Sequence, residues 1–108
     1  MLIYLSKKIM SEINKINDEI EAVKRELIAI GDMRPGNLNR QFRKPKEKLG
    51  EYFQLNYTFK GRTKTEHVKK ENIPTIESEL DAYQRSKELY LKWVELSIQA
   101  SRLRIKNG

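Results

Sequence analysis

The sequence predicts an α+β protein, mainly α, in which two long antiparallel amphipathic helices have a β-hairpin inserted between them, in the order α-β-β-α. Three observations predict it. Apolar residues recur at heptad spacing over 6–30, they do so again over 74–106, and residues 51–68 alternate with a period of two.

In the first helix the apolar seam runs Ile9, Ile13, Ile16, Ile20, Val23, Leu27, Ile30, alternately four and three residues apart. Ser6 suits its N-cap, and Gly31, Asp32 and Pro35 end it. In the second helix Pro74 fits the first turn. Ala82, Leu89, Trp93, Leu96, Ala100 and Leu103 share a seam, with Ser86 in its gap and Ile76, Leu80, Tyr83 and Tyr90 widening the apolar face. At the α-helical rise the two helices span about 37 Å and about 50 Å. Rods of that length pack most simply antiparallel, seam on seam.

Between them, EYFQLNYTFKGRTKTEHV is rich in aromatic and β-branched residues, and Lys60-Gly61 supplies the turn. A three-residue loop with Gly61 left-handed sets Thr58 opposite Arg62. Phe53, Leu55, Tyr57, Thr63, Thr65 and His67 then share one face, and Tyr52, Gln54, Asn56, Arg62, Lys64, Glu66 and Val68 the other. A two-residue loop shifts the pairing by one and sets Tyr57 opposite Lys64. The first register is preferred because it separates apolar from charged side chains. Residues 31–50 read as an irregular basic loop, which at that length is functional or disordered.

The 108 residues fit one domain over 1–108. With 38% hydrophobic and 34% charged residues, the core is thin, and thin cores are often completed by a partner chain. No cysteine is present, which excludes disulfides, thiolate metal sites and thiol nucleophiles. The run MLIYL is too short for a signal sequence, and no apolar stretch is long enough to span a membrane. A cytoplasmic protein is expected.

The net charge of +7 is concentrated. Residues 1–30 hold five basic and five acidic side chains, residues 71–108 hold six of each, and residues 31–70 hold eleven basic and four acidic. In this middle segment Arg34, Arg40, Arg43, Lys44, Lys46 and Lys48 precede the hairpin, which adds Lys60, Arg62 and Lys64. Loop and hairpin are expected to form one continuous cationic surface. Arg and Lys pair with phosphate oxygens and release condensed counterions, so nucleic acid, DNA or RNA, is the expected partner. Phe42, Tyr52, Phe53, Tyr57 and Phe59 are interleaved, and exposed aromatics stack on unpaired bases. The Arg34-Pro35-Gly36 turn brings backbone N–H groups toward a phosphate. The candidate nucleic-acid-binding residues are Arg34, Arg40, Phe42, Arg43, Lys44, Lys46, Lys48, Lys60, Arg62 and Lys64. A solvated surface or an acidic protein partner is the competing reading of the same charge. A membrane surface is disfavoured because both helices are charge-balanced.

Little points to catalysis. His67 is the sole histidine, and no nucleophile–base or metal set can be built around it. The phosphate-loop spacing is absent around Gly61-Arg62-Thr63. The acidic groups Asp18/Glu19/Glu21 and Glu77/Glu79/Asp81 read as solvated helix faces. No catalytic residue, metal site or cofactor is assigned. The expectation is a non-enzymatic accessory protein that binds nucleic-acid phosphates. The alternative is an interaction or scaffold module whose heptad seams bind a partner protein, or itself as a homodimer.

Several strings carry a resemblance: Arg34-Pro35-Gly36-Asn37-Leu38, Arg40-Gln41-Phe42-Arg43-Lys44, Gly50-Glu51-Tyr52-Phe53-Gln54-Leu55, and Gly61-Arg62-Thr63-Lys64 through Val68. Over residues 33–100 the chain resembles a family of short, mostly bacterial domains of unknown function. The family pattern runs from a G-x-L turn, through a basic-aromatic stretch, to a G-P-Y-Y-x-L strand, a G-K-T turn, a strand ending in valine and a long helix. Members often carry a C-G-K-x-x-C-x-C cluster after the basic-aromatic stretch, where this chain reads Lys44-Pro45-Lys46-Glu47-Lys48. The resemblance implies the α-β-β-α layout and adds little on function, and without the cysteines it carries no metal site over to this chain.

Overall fold

The computed structural model describes residues 2–107, and the side chains of residues 6–106. The side chains of the MLIYL stretch lie outside that description. The element order is α1 (Leu2–Ala29), β1 (Asn37–Lys44), β2 (Leu49–Phe59), β3 (Arg62–Val68), a single 3-10 turn (Lys70–Asn72) and α2 (Ile73–Asn107). Contacts divide the chain into two compact units, one of Met1–Ile30 with Ser86–Gly108 and one of Gly31–Arg85.

The helical unit contains α1 and the later turns of α2. Ile20 and Val23 of α1 are buried with Leu89 and Leu96 of α2, and Ile16, Leu27, Ile30 and Trp93 pack around them. Arg104 donates to the Asn17 side chain, while Lys24 lies 5.0 Å over the Trp93 ring. As the α1 number rises the α2 number falls, so the helices run antiparallel, seam on seam. From Ile16 to Ile30 and from Leu89 to Leu96 the two seams therefore cover each other inside the chain. The helix expected from Ser6 starts at Leu2, so Ser6 lies within the helix and does not cap it. Near its end Ile30 N–H donates to the Leu27 carbonyl, and Gly31 follows. Pro74 is the second residue of α2, inside the first turn, where its missing N–H costs nothing.

In the other unit the expected hairpin is a three-stranded antiparallel sheet, in the order β1-β2-β3. The extra strand lies in the stretch read as a loop. Asn37–Lys44 pairs with β2, Leu38 opposite Leu55 and Arg40 opposite Phe53. Beyond it Lys44 to Lys48 form a tight turn, with Glu47 N–H donating to the Lys44 carbonyl.

The β2–β3 register is also different from the preferred one. Phe59 faces Arg62, Thr58 faces Thr63 and Tyr57 faces Lys64, so the loop has two residues. Lys60 and Gly61 both have positive φ, 52° and 75°. That conformation gives the turn the twist of the flanking strands, which a one-residue left-handed bulge does not match as simply. Phe53, Leu55 and Tyr57 consequently share a face with Arg62, Lys64, Glu66 and Val68. Leu55 and Val68 are buried there with Ile76 of α2, and Leu38, Phe53, Tyr57, Ile73 and Leu80 pack around them. The opposite face carries Tyr52, Gln54, Asn56, Thr58, Thr63, Thr65 and His67, none of them buried. Thr58 and Thr63 share a 2.8 Å hydrogen bond across it, and Thr65 donates to Asn56 at 2.7 Å.

Candidate nucleic-acid interface

β2 is eleven residues long and connects two turns. At its start lie Arg43 and Lys44 of β1 with Lys46 and Lys48, and at its end lie Lys60 of the turn with Arg62 and Lys64 of β3. Ten steps of antiparallel strand separate them by roughly 34 Å. The cationic surface expected to be continuous is thus two clusters at opposite ends of one sheet.

Arg34 and Arg40 belong to neither cluster. Arg34 pairs with the Glu66 carboxylate, its guanidinium lies 5.4 Å over the Tyr57 ring, and its backbone N–H donates to the Glu79 carbonyl at 3.1 Å. Glu66 is held below the usual carboxylate range, first by the Tyr57 hydroxyl and then by Arg34; partial desolvation opposes both. The same hydrogen bond to Glu66 holds the Tyr57 phenol above its ordinary value. The three side chains tie the chain leaving α1 to β2 and β3. Gly36 makes that crossing tight: its φ is 124°, and a Cβ there would stand 2.6 Å from the Asn56 carbonyl oxygen and 2.8 Å from Tyr57 Cβ. Arg40 donates to Glu51 at 3.0 Å and lies 5.0 Å over the Phe42 ring. Phe42 is therefore half-buried beneath a paired arginine.

The other seven cations stand differently. Among the described residues, no carboxylate pairs with Arg43, Lys44, Lys46, Lys48, Lys60, Arg62 or Lys64. At the β2–β3 end, Lys60, Arg62 and Lys64 surround Tyr57 and Phe59 in a concavity of about 390 Å³. Phe59 is 59% exposed, and Lys60 Nζ lies 5.6 Å from its ring centroid. Strand alternation places Phe59, Arg62, Tyr57 and Lys64 on the face that α2 covers farther along, but Ile73, Ile76 and Leu80 pack at Leu55 and Val68, short of the tip. Arginine and lysine are accommodated on the core-facing side because the strands extend beyond the layer that covers them. Phe59 is absent from the residues singled out by sequence, where it is one of five interleaved aromatics. Its exposure follows from how far the strands run past the layer that covers them.

Both turns seat a lysine in the left-handed region, Lys48 at φ 53° and Lys60 at φ 52°. Asparagine or glycine adopts that conformation more readily. Among the described residues, no three of His, Cys, Asp and Glu are gathered as a metal site, and no helix is long and apolar enough to cross a membrane. Comparison of the chain with protein-family models, curated proteins and solved structures gives no match.

Proposed function

We propose that this is a non-enzymatic accessory protein that binds nucleic acid through the two cationic ends of its sheet. One observation carries the reading: three cations without carboxylate partners surround an exposed phenylalanine at the β2–β3 tip. Phosphates meet Lys60, Arg62 and Lys64 there, and an unpaired base stacks on Phe59. At the far end Arg43, Lys44, Lys46 and Lys48 supply a second phosphate contact. Their separation of roughly 34 Å is close to one turn of a duplex. Recognition is then mainly of backbone and shape. Arg34, Arg40 and Phe42 contribute by holding the sheet in register. Purification at low and at high salt, followed by absorbance at 260 and 280 nm, tests the reading. Nucleic acid should co-purify at low salt and leave at high salt. A protein spectrum free of nucleic acid at both, with no retention on immobilised DNA or RNA, would reject it.

A further inference from the structure

The seam of α2 that meets α1 is not the only apolar stripe on that helix. Tyr90, Leu91, Val94, Ile98 and Ile105 are 61%, 65%, 39%, 45% and 74% exposed. At 100° per residue, Val94, Ile98, Ser101 and Ile105 lie roughly 150° around the axis from buried Leu89, Leu96 and Ala100. They do not belong to the α1 seam. A shallow apolar groove of about 410 Å³ runs along this stripe, with Ser97 and Ser101 between the larger Tyr90, Val94 and Ile98.

We infer that this stripe is the contact surface for a second copy of the chain, two α2 helices crossing antiparallel about a two-fold axis between Ser97 and Ile98. Two features choose a second copy and that direction. The first is shape. A two-fold at this point sets Val94 against Ser101 of the partner and Tyr90 against Ile105 of the partner, with Ile98 of each copy beside the axis. Val94 of each copy thus meets a serine of the other, so the surface fits itself there. The second is charge. Glu95 and Arg102 are both exposed and stand seven residues apart on the same flank of the stripe. In an antiparallel pair like flanks adjoin, so Glu95 of each copy meets Arg102 of the other and the contact forms twice. A parallel pair places this flank beside the opposite one and loses both exchanges. The stripe from Tyr90 to Ile105 is about 24 Å long. That is a small interface, so association is concentration-dependent.

Sedimentation after nuclease treatment, at low and high micromolar protein, tests this independently of nucleic-acid binding. The mass should climb from 12.8 kDa toward twice that value. Ile98→Glu should remain a single chain with unchanged helicity by circular dichroism. Glu95→Arg alone and Arg102→Glu alone should each associate at least tenfold more weakly, and an equimolar mixture of the two should pair again. Because the chain has no cysteine, Val94→Cys and Ser101→Cys chains give a second reading. Oxidised together they should cross-link to each other, and neither to itself. A single-chain mass at every concentration overturns the inference. So do undiminished self-association of Ile98→Glu, a charge-variant mixture no better than its components, or Val94→Cys cross-linking to itself.

Discussion

The two ends of β2 carry similar numbers of cations and differ in everything around them. At the β1–β2 end, Glu47 and Glu51 stand among the lysines, and the aromatic ring, Phe42, is half-buried under an arginine already paired with Glu51. At the β2–β3 end the carboxylate of Glu66 is engaged by Arg34 and Tyr57, and the ring, Phe59, is open to solvent. One end therefore offers charge alone, and the other offers charge with a stacking surface. A count of lysines and arginines treats these ends as equal. The difference comes from where carboxylates sit and how far α2 covers the sheet.

The largest expected effect tests what holds the tip end in place. Gly36→Ala adds a Cβ against the Asn56 carbonyl at a φ disfavoured for L-residues, and should cost about 3 kcal/mol of unfolding free energy in urea titration. Gly61→Ala meets open space and should cost only about 1 kcal/mol, from its φ of 75°. Equal losses at the two glycines would mean that the crossing over β2 is not tight. Next comes the contrast between rings. Phe59→Ala should weaken single-strand binding by about 1–2 kcal/mol, roughly 5–30-fold, without altering the salt slope. Phe42→Ala should lower stability and leave affinity nearly unchanged, as expected for a ring that packs. Reversed roles for these two phenylalanines would exchange the two ends. Smaller still, Lys60→Asn and Lys48→Asn should each raise stability by about 0.5–1 kcal/mol, since asparagine tolerates the left-handed backbone. Lys60→Asn should also weaken nucleic-acid binding, so stability and affinity move in opposite directions.

The last prediction concerns pH and is one of shape. Glu66 has a folded value below its ordinary 4.5, so its contribution to stability is complete above that pH and is lost as pH falls through the folded value. Tyr57 is raised above its ordinary 10.0, so its contribution is complete below that pH and is lost as pH rises through its folded value. In Glu66→Gln both limbs of a Tm-against-pH curve should flatten. Unchanged limbs would remove the Arg34–Glu66–Tyr57 cluster as the link between β2, β3 and the chain leaving α1.

The helices were legible because one period governs them. Ile20, Val23, Leu89 and Leu96 fall on heptad seams, and those seams meet. β1 was not legible because its alternation is Leu38, Arg40, Phe42, Lys44, with charge at every second inward position. Arg40 can occupy such a position because Glu51 lies diagonally across the strand pair, a partner that local sequence does not reveal. The β2–β3 register departs from the expected one for a related reason. Separating apolar from charged residues is a sound rule for a sheet covered along its whole length, and α2 covers only the middle of this one. The candidate site was visible as an excess of positive charge in residues 31–70. Its division into two ends and the withdrawal of Arg40 required the third strand, and the withdrawal of Arg34 required the register that sets Glu66 on the face of Tyr57.

Affinity for DNA or RNA measured across a range of salt concentrations tests the central claim most directly. With about six of the seven cations that lack carboxylate partners meeting duplex phosphates, log affinity should fall with log salt at a slope of roughly −5, and Arg62→Ala with Lys64→Ala should bring it to roughly −3. A slope near zero, or one that the double substitution leaves unchanged, would contradict it.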